Sequence, residues 1–399
     1  MFTKQIVSAI AAFGLATGAM AVDCKDDNIK ISSSGDATQL GNCKGGVKGS
    51  VTITPGDAEL DFGNLESIGG DLTCENNGVI ISLKAGSLTS IGKEFRLQNA
   101  TQLSNLAFTK LNSVGSLKFL SLNGLTALNF GSEGIKEADT VIISDTRLSS
   151  LEGINVETVK DLDINNNKFL TKFTSSIKSL SNLLNINANG LKLSVEMPNI
   201  EWLANATISN VTEYSSPSLA TVNGSLRFDS NFFESVSLLN LTEIQTGDLS
   251  FVGNSAVKNI SFPQLTKVGG GFTIANNTEL EKLTSFPKLA MIGGAVRLRG
   301  SFDDVKLPAL DDVRGVFQIT STENIQSSCD EFKKLGNKVA GDGGNIDCTS
   351  NNQNANNDTS STGESDGSSD DKSGASSMSM SMSTVFSLAT VGALVTFFL

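Results

Sequence analysis

Two pairs of neighbouring carboxylates, Asp303-Asp304 and Asp311-Asp312, come nearest to catalysis by type and spacing in this chain of 399 residues. Two carboxyl groups flanking a glycosidic bond could act as acid and base in polysaccharide cleavage. Adjacent residues on a strand point to opposite faces, however, so solvated loop and corner positions are the simpler reading of both pairs. Other chemistries lack their parts. There is no histidine, which removes Ser-His-Asp and Cys-His catalysis and the commonest metal ligand. The five cysteines form no zinc spacing, and Gly269-Gly270-Gly271 has neither a lysine nor a helix behind it to hold phosphate. No catalytic, metal or cofactor site is therefore expected. A net charge of −12 opposes binding to nucleic acid or to an anionic membrane surface. Sugar-binding platforms usually present exposed rings. Trp202 and Tyr214 are single, and the 22 phenylalanines suit a core better than a ligand site.

What must position these residues is a repeat. Ser261-Phe-Pro-Gln-Leu-Thr-Lys-Val-Gly-Gly-Gly-Phe-Thr-Ile is followed by Ser285-Phe-Pro-Lys-Leu-Ala-Met-Ile-Gly-Gly-Ala-Val-Arg-Leu and, more loosely, by Lys306-Leu-Pro-Ala-Leu-Asp-Asp-Val-Arg-Gly-Val-Phe-Gln-Ile. The core of the phrase, Leu-x-x-Ile/Val, recurs with its last residue at Ile68, Ile91, Val114, Val222, Ile244, Val268, Ile292 and Val313. A weaker middle threads through Ala138, Val159, Leu180 and Leu203, which makes about twelve coils at the period of a leucine-rich-repeat-like solenoid. After the glycines, alternate residues are apolar, as in Phe95-Arg-Leu97, Leu162-Asp-Ile164 and Phe272-Thr-Ile274. Such alternation is a half-buried strand, and equivalent strands must stack in parallel, with Arg96, Asp163, Arg227, Ser250, Thr273 and Arg297 facing outward. No helix-length amphipathic pattern follows, so the expected class is all-β: a parallel β-solenoid with strands on several faces.

An asparagine often follows the strand, at Asn77, Asn99, Asn123, Asn165, Asn187, Asn210, Asn231, Asn254 and Asn276. A buried ladder satisfying the turn backbone is expected there, with surface loop positions as the alternative. Eight Asn-x-Ser/Thr acceptors occur, at Asn99, Asn205, Asn210, Asn223, Asn240, Asn259, Asn276 and Asn357. Asn99, Asn210 and Asn276 carry both readings, and an inward asparagine cannot hold a glycan. Asn205, Asn223, Asn240 and Asn259 are therefore the stronger acceptors.

The two ends carry delivery signals. Residues 1–21 read as a secretory signal, with Lys4, the apolar Ile6–Ala16 and an Ala19-Met20-Ala21 cleavage site. At the other end the small triplet Ser373-Gly374-Ala375, a Ser/Met spacer and the uncharged Val385–Leu399 match GPI attachment at Ser373 or Gly374. The expected layout is a signal over 1–21, a solenoid ectodomain over 22–348, a Ser/Asn-rich stalk over 349–373 and a removed propeptide over 374–399. The compartment permits disulfides. Cys24 and Cys43 lie 19 residues apart, as do Cys329 and Cys348. Two local bridges stapling the solenoid's end caps are expected, although spacing alone leaves the connectivity open. Cys74 is left over, as a buried thiol or, alternatively, an intermolecular bridge.

Together, the secretory signal, the Phe-Pro-x-Leu-x-x-Ile/Val-Gly-Gly repeats, the flanking cysteines, the stalk and the GPI tail resemble the fungal GPI-anchored cell-wall-organisation proteins of the extracellular-mutant/sporulation-specific type. The repeats are also similar to the receptor L domains of insulin- and EGF-receptor ectodomains, which are right-handed β-solenoids. Where the phrase has Leu, the middle coils carry Ile135, Val156, Ile177 and Ile200. The resemblance implies a non-enzymatic role in wall organisation, integrity and morphogenesis. It also implies residence at the outer face of the plasma membrane through GPI lipid or in the wall, with wall polysaccharide or wall glycoproteins as partners and no nucleic acid. A wall-polysaccharide-remodelling enzyme and a glycan- or protein-binding receptor or adhesin are the alternatives.

Overall fold

The computed structural model describes residues 22–339 and 345–356. Alternation governs the architecture. In each coil two apolar residues point inward and stack on their equivalents in the next coil, such as Leu72 on Phe95 and Cys74 on Leu97, or Phe251 on Ile274. The result is a parallel sheet of 21 strands. Fifteen of these form a continuous front, from Asn28–Ile31 through Thr158–Asn165 to Ile346–Thr349. The first and last belong to the caps, leaving about thirteen turns between them.

The Leu-x-x-Ile/Val residues make a second face. Ser67–Ile68 pairs with Ser90–Ile91, and Thr221–Val222, Glu243–Ile244, Lys267–Val268, Met291–Ile292 and Asp312–Val313 follow in register. All twelve positions expected from the sequence are buried here, the weak middle included. A thirteenth precedes them at Val47, bridged to Ile68. The third face is built in separate pieces, Glu59–Asp61 to Asn105–Ala107 and Lys172–Thr174 to Glu213–Ser215 among them. Between residues 107 and 172 it has no strand.

Rings fill the coils. Phe228 and Phe251 stack at 4.7 Å, and the chain of contacts continues through Phe262 to Phe286 and Phe272. The Phe-Pro steps thus place Phe262 and Phe286 in the core, both fully buried. The paired glycines serve a different end from the relaxed corner that the sequence suggests. A Cβ on Gly269 would lie 2.0 Å from the carbonyl oxygen of Gln245, and one on Gly293 would lie 2.1 Å from that of Gly269. Glycine is needed because successive coils touch backbone to backbone, a contact no Cβ could share.

Both ends are closed. Cys24 and Cys43 are bonded with Cα atoms 5.6 Å apart, beside the helix Ser34–Gly41, whose Ala37 and Leu40 cover the first coil. Ser33 and Asp36 form a reciprocal capping box at that helix. Cys329 and Cys348 are bonded with Cα atoms 5.7 Å apart, joining the helix Gln326–Phe332 to the last front strand. Each bridge closes a short loop, a constraint worth about 3 kcal/mol. Strand and side-chain contacts continue past residue 348. Thr349 is still in the last strand, Asn352 N–H donates to the Ser321 carbonyl at 2.9 Å, Ala355 is buried, and Asn356 Nδ2 donates to Ser301 Oγ at 2.9 Å.

Candidate interaction surface

The front sheet brings the outward residues into columns. Thr73, Arg96 and Lys118 are register partners, as are Asp163 and Asn185, and Thr207, Arg227, Ser250, Thr273 and Arg297. The six outward residues named from alternation therefore share one line down the molecule. Its chemistry changes along the way. Near the N-terminal end, Arg96 pairs with Glu75 at 2.8 Å and Glu94 at 3.3 Å, and Lys118 with Glu94 at 2.5 Å. In the middle the surface is amide-rich: Asp163 Oδ1 accepts from Asn165 and Asn185, both at 2.8 Å. Ile142 and Leu183, which no alternation argument had marked, also face outward there. Further on, burial raises the Asp229 carboxyl, with Arg227 opposing that shift.

The buried ladder exists, in a register different from the expected one. Each corner first spends a residue in the left-handed region, at Asn76, Asn99, Asp145, Asn166, Asn210 and Asn276 among others. Only the next residue turns inward. The buried column is therefore Asn77, Thr146, Asn167, Asn189, Asn231, Asn254 and Asn277. Asn254 shows its logic: Nδ2 donates to the Phe228 carbonyl at 2.9 Å and to Asn277 Oδ1 at 3.0 Å, while Oδ1 accepts the Asn231 N–H at 2.9 Å. Of the expected members, Asn77, Asn231 and Asn254 belong to it. Asn99, Asn210 and Asn276 are corner residues, Asn165 and Asn187 end strands on the outward side, and Asn123 lies in the following turn. Asn99 is exposed and Asn210 and Asn276 half-exposed, so the conflict between ladder and glycan disappears at these three positions. Asn205, Asn223, Asn240 and Asn259 are exposed, and Asn357 lies outside the described residues. So do the signal segment and Ser373 and Gly374 with their tail.

The acidic pairs do not make a site. Asp304 stands on a third-face strand and pairs with Lys306 at 2.7 Å. Asp312 stands on the second face and pairs with Arg314 at 3.2 Å, and Asp311 pairs with Lys338. Asp303 is exposed. Cys74 faces inward between Ile53 and Leu97, fully buried, and burial pushes its thiol up to about 11. Among the described residues no cluster of acidic residues or cysteines could hold a metal ion.

A parallel β-solenoid capped by a disulfide at each end, with a mostly polar stacked front, defines the structural class. The family model for Ecm33, GPI-anchored cell wall organization protein, matches residues 1–41. Protein ecm33 of Aspergillus fumigatus is 39% identical over 340 residues, covering 84% of this chain and 83% of its own. A cell surface GPI-anchored protein of Arthroderma benhamiae is 36% identical over 84% of each chain. Sporulation-specific protein 2 of Saccharomyces cerevisiae is 33% identical over 82% of this chain and 65% of its own. No solved structure matches. The chain belongs to the Ecm33 family of fungal GPI-anchored cell-wall-organisation proteins. It is a surface protein of cell-wall organisation, placed at the outer face of the plasma membrane or in the wall.

Proposed function

We propose that this protein organises the wall without catalysis, as a glycosylated scaffold that holds wall polysaccharide or wall glycoproteins against its faces. The observation that carries the reading is the unbroken front sheet, whose outward columns are mostly polar and mixed in charge while Asp304 and Asp312 sit on separate faces in ion pairs of their own. The relatives' names, which are those of wall and surface proteins, support it. The lipid is attached at Ser373 or Gly374, and the eight acceptor asparagines carry the glycans. Seven of these acceptors lie among the described residues, and six of the seven fall between Asn205 and Asn276.

Sedimentation of the purified glycoprotein with an insoluble wall fraction tests the scaffold reading. Binding without release of soluble sugar is expected; sugar release that stops in Asp304→Asn or Asp312→Asn would overturn it. The anchor has a separate test. Phosphatidylinositol-specific phospholipase should free the protein from intact cells, and a mature chain still holding Val385–Leu399 would sink the attachment site.

A further inference from the structure

We propose that the interruption of the third face is a sugar-binding cleft, which takes a short neutral or N-acetylated oligosaccharide segment. The proposal rests on the reading above that wall polysaccharide is a partner, and it names the place where a chain of that polysaccharide is held.

Where the third face lacks a strand, a cleft of about 470 Å³ opens between the segments 131–132, 150–155 and 172–174, within the range of roughly 300–1,000 Å³ that holds small ligands. Its floor is apolar, formed by Leu151, Ile154 and Phe173, each nearly buried by its own coil. Its polar lining is Ser132, Ser150 and Asn155. Asn155 Nδ2 donates to the Glu133 carbonyl and Ser150 Oγ accepts the Glu152 N–H, both at 3.0 Å, which leaves the Asn155 Oδ1 acceptor and the serine O–H donors for a ligand. A pyranose has the same division, since its ring faces are lined by C–H groups and its edges by hydroxyls that both donate and accept.

Charge argues for a neutral ligand. Lys172 at one side is already paired with Glu196 at 3.2 Å. Glu152 on the lining is exposed and opposes any anion. A phosphate or a nucleic acid would find no net positive field here.

The walls are also fixed in place. Gly131, Gly134 and Gly153 have φ of 71°, 65° and 91°, a conformation that other residues rarely adopt. A Cβ on Gly131 would lie 2.2 Å from the Thr109 carbonyl oxygen, and one on Gly134 would lie 2.4 Å from that of Gly153. These turns are locked against neighbouring coils, so the opening is preformed rather than a loose loop, which lowers the ordering cost of binding. No acceptor asparagine lies between Asn99 and Asn205, so the cleft's own coils carry no glycan to crowd it.

The test is calorimetric titration of the intact glycoprotein with disaccharides and hexasaccharides of β-linked glucose, β-linked N-acetylglucosamine and α-linked mannose. At least one series should bind. Ser150→Trp and Ser132→Trp fill the cleft from two different lining segments, and each should weaken that binding at least tenfold, about 1.4 kcal/mol. Ser255→Trp, of equal bulk at an exposed corner of a distant coil, should leave it unchanged. Circular dichroism confirms that each variant folds, and the second wall variant serves if the first does not. Absence of binding by every sugar, or unchanged affinity in a folded wall variant, would overturn the cleft. The two failures are separable. Wall sedimentation that survives in Ser150→Trp while no short sugar binds would sink the cleft and leave the scaffold. Loss of sedimentation by the wild type would sink the scaffold, whatever the titration gives.

Discussion

The coils over residues 219–313 and those over 123–157 are built from the same plan to different tolerances. In the first set, the second face runs strand to strand and the rings touch from Phe228 to Phe286. In the second set, three left-handed glycines make the corners and no third-face strand forms. Yet the front strands Thr140–Thr146 and Thr158–Asn165 pair with each other and with both neighbours, and a bulge between Val159 and Asp161 leaves residues 161–165 in register. Register therefore lives on the front, in the inward pairs Val141/Ile143 and Leu162/Ile164 and in the Thr146–Asn167 bond of 2.6 Å. A coil can lose its back strand and still close. Irregularity collects where register does not depend on it, and there the surface becomes concave.

The largest expected effects test that contrast in the core. Phe251→Ala should cost about 3–5 kcal/mol, because the ring is wholly enclosed and its stacked neighbours cannot collapse into the space. Leu151→Ala should fall near the lower end for its type, about 2 kcal/mol, since its site already opens on the cleft. Urea unfolding of the two variants gives the comparison. Equal losses would mean that the middle coils are packed as tightly as the regular ones.

The ladder offers a second, smaller contrast. Asn254→Ala strands the Asn231 N–H and the Phe228 carbonyl in the core, at about 1–3 kcal/mol for each unsatisfied group. Asn187→Ala removes an outward residue at a strand end and should stay within about 0.5 kcal/mol. A large loss at Asn187 would restore the register suggested by the sequence.

That register shows where sequence reasoning stops. The inward residues of the front were legible because period-2 alternation survives in most coils, even where Ile135 or Ile177 replaces Leu, and it fails where Ile142 and Leu183 put apolar side chains on the outward side. The ladder was legible as a recurrence and right at Asn77, Asn231 and Asn254, but the inward residue comes one position later at Asn276 and two later at Asn165 and Asn187. A left-handed corner residue such as Asn276 and an inward one such as Asn277 are the same residue type side by side, and only backbone geometry separates them. The cleft was illegible. Its floor residues look like any other core leucine or phenylalanine, and its walls depend on Gly134 and Gly153, which are 19 positions apart and meet only through stacking. The glycine pairs were found for the wrong reason, since close approach between coils leaves no signature different from that of a corner.

Titration extends the contrast to the N-terminal coils. Cys74 is buried and its thiol is raised from 9.0 to about 11. Its contribution to stability is fully present below pH 9. Between pH 9 and 11 the unfolded chain ionises while the folded one does not, so stability falls, by about 2–3 kcal/mol on completion. Cys74→Ala should lack this step and keep a later one above pH 10 from Tyr214, which burial raises to about 12. Iodoacetamide should modify Leu151→Cys, at the cleft, well before Cys74. Equal rates would mean that the regular coils admit water as the middle does.

The smallest expected effect concerns the front surface, where the N-terminal coils differ from the rest by carrying a linked ion network. Arg96 reaches both Glu75 and Glu94, and Glu94 also holds Lys118. Single exposed pairs are worth about 0–1 kcal/mol because water screens them and long side chains lose freedom. Here Arg96 is 29% exposed and Glu94 23%, and three coils are tied together, so the upper part of that range is expected. Arg96→Met keeps most of the packing of the stem and removes the charge. It should lower stability by about 0.5–1 kcal/mol in low salt, and the gap from wild type should shrink as salt approaches 1 M, where the screening length is about 3 Å. Arg227, paired with Asp248 at 3.5 Å and 49% exposed, is the singly bridged counterpart on the regular coils, where it also opposes the upward shift of the Asp229 carboxyl. Arg227→Met should cost less than Arg96→Met and depend less on salt. If the two variants behaved alike, the network would be no more than a set of separate pairs, and the front sheet would owe its stability to its inward residues throughout.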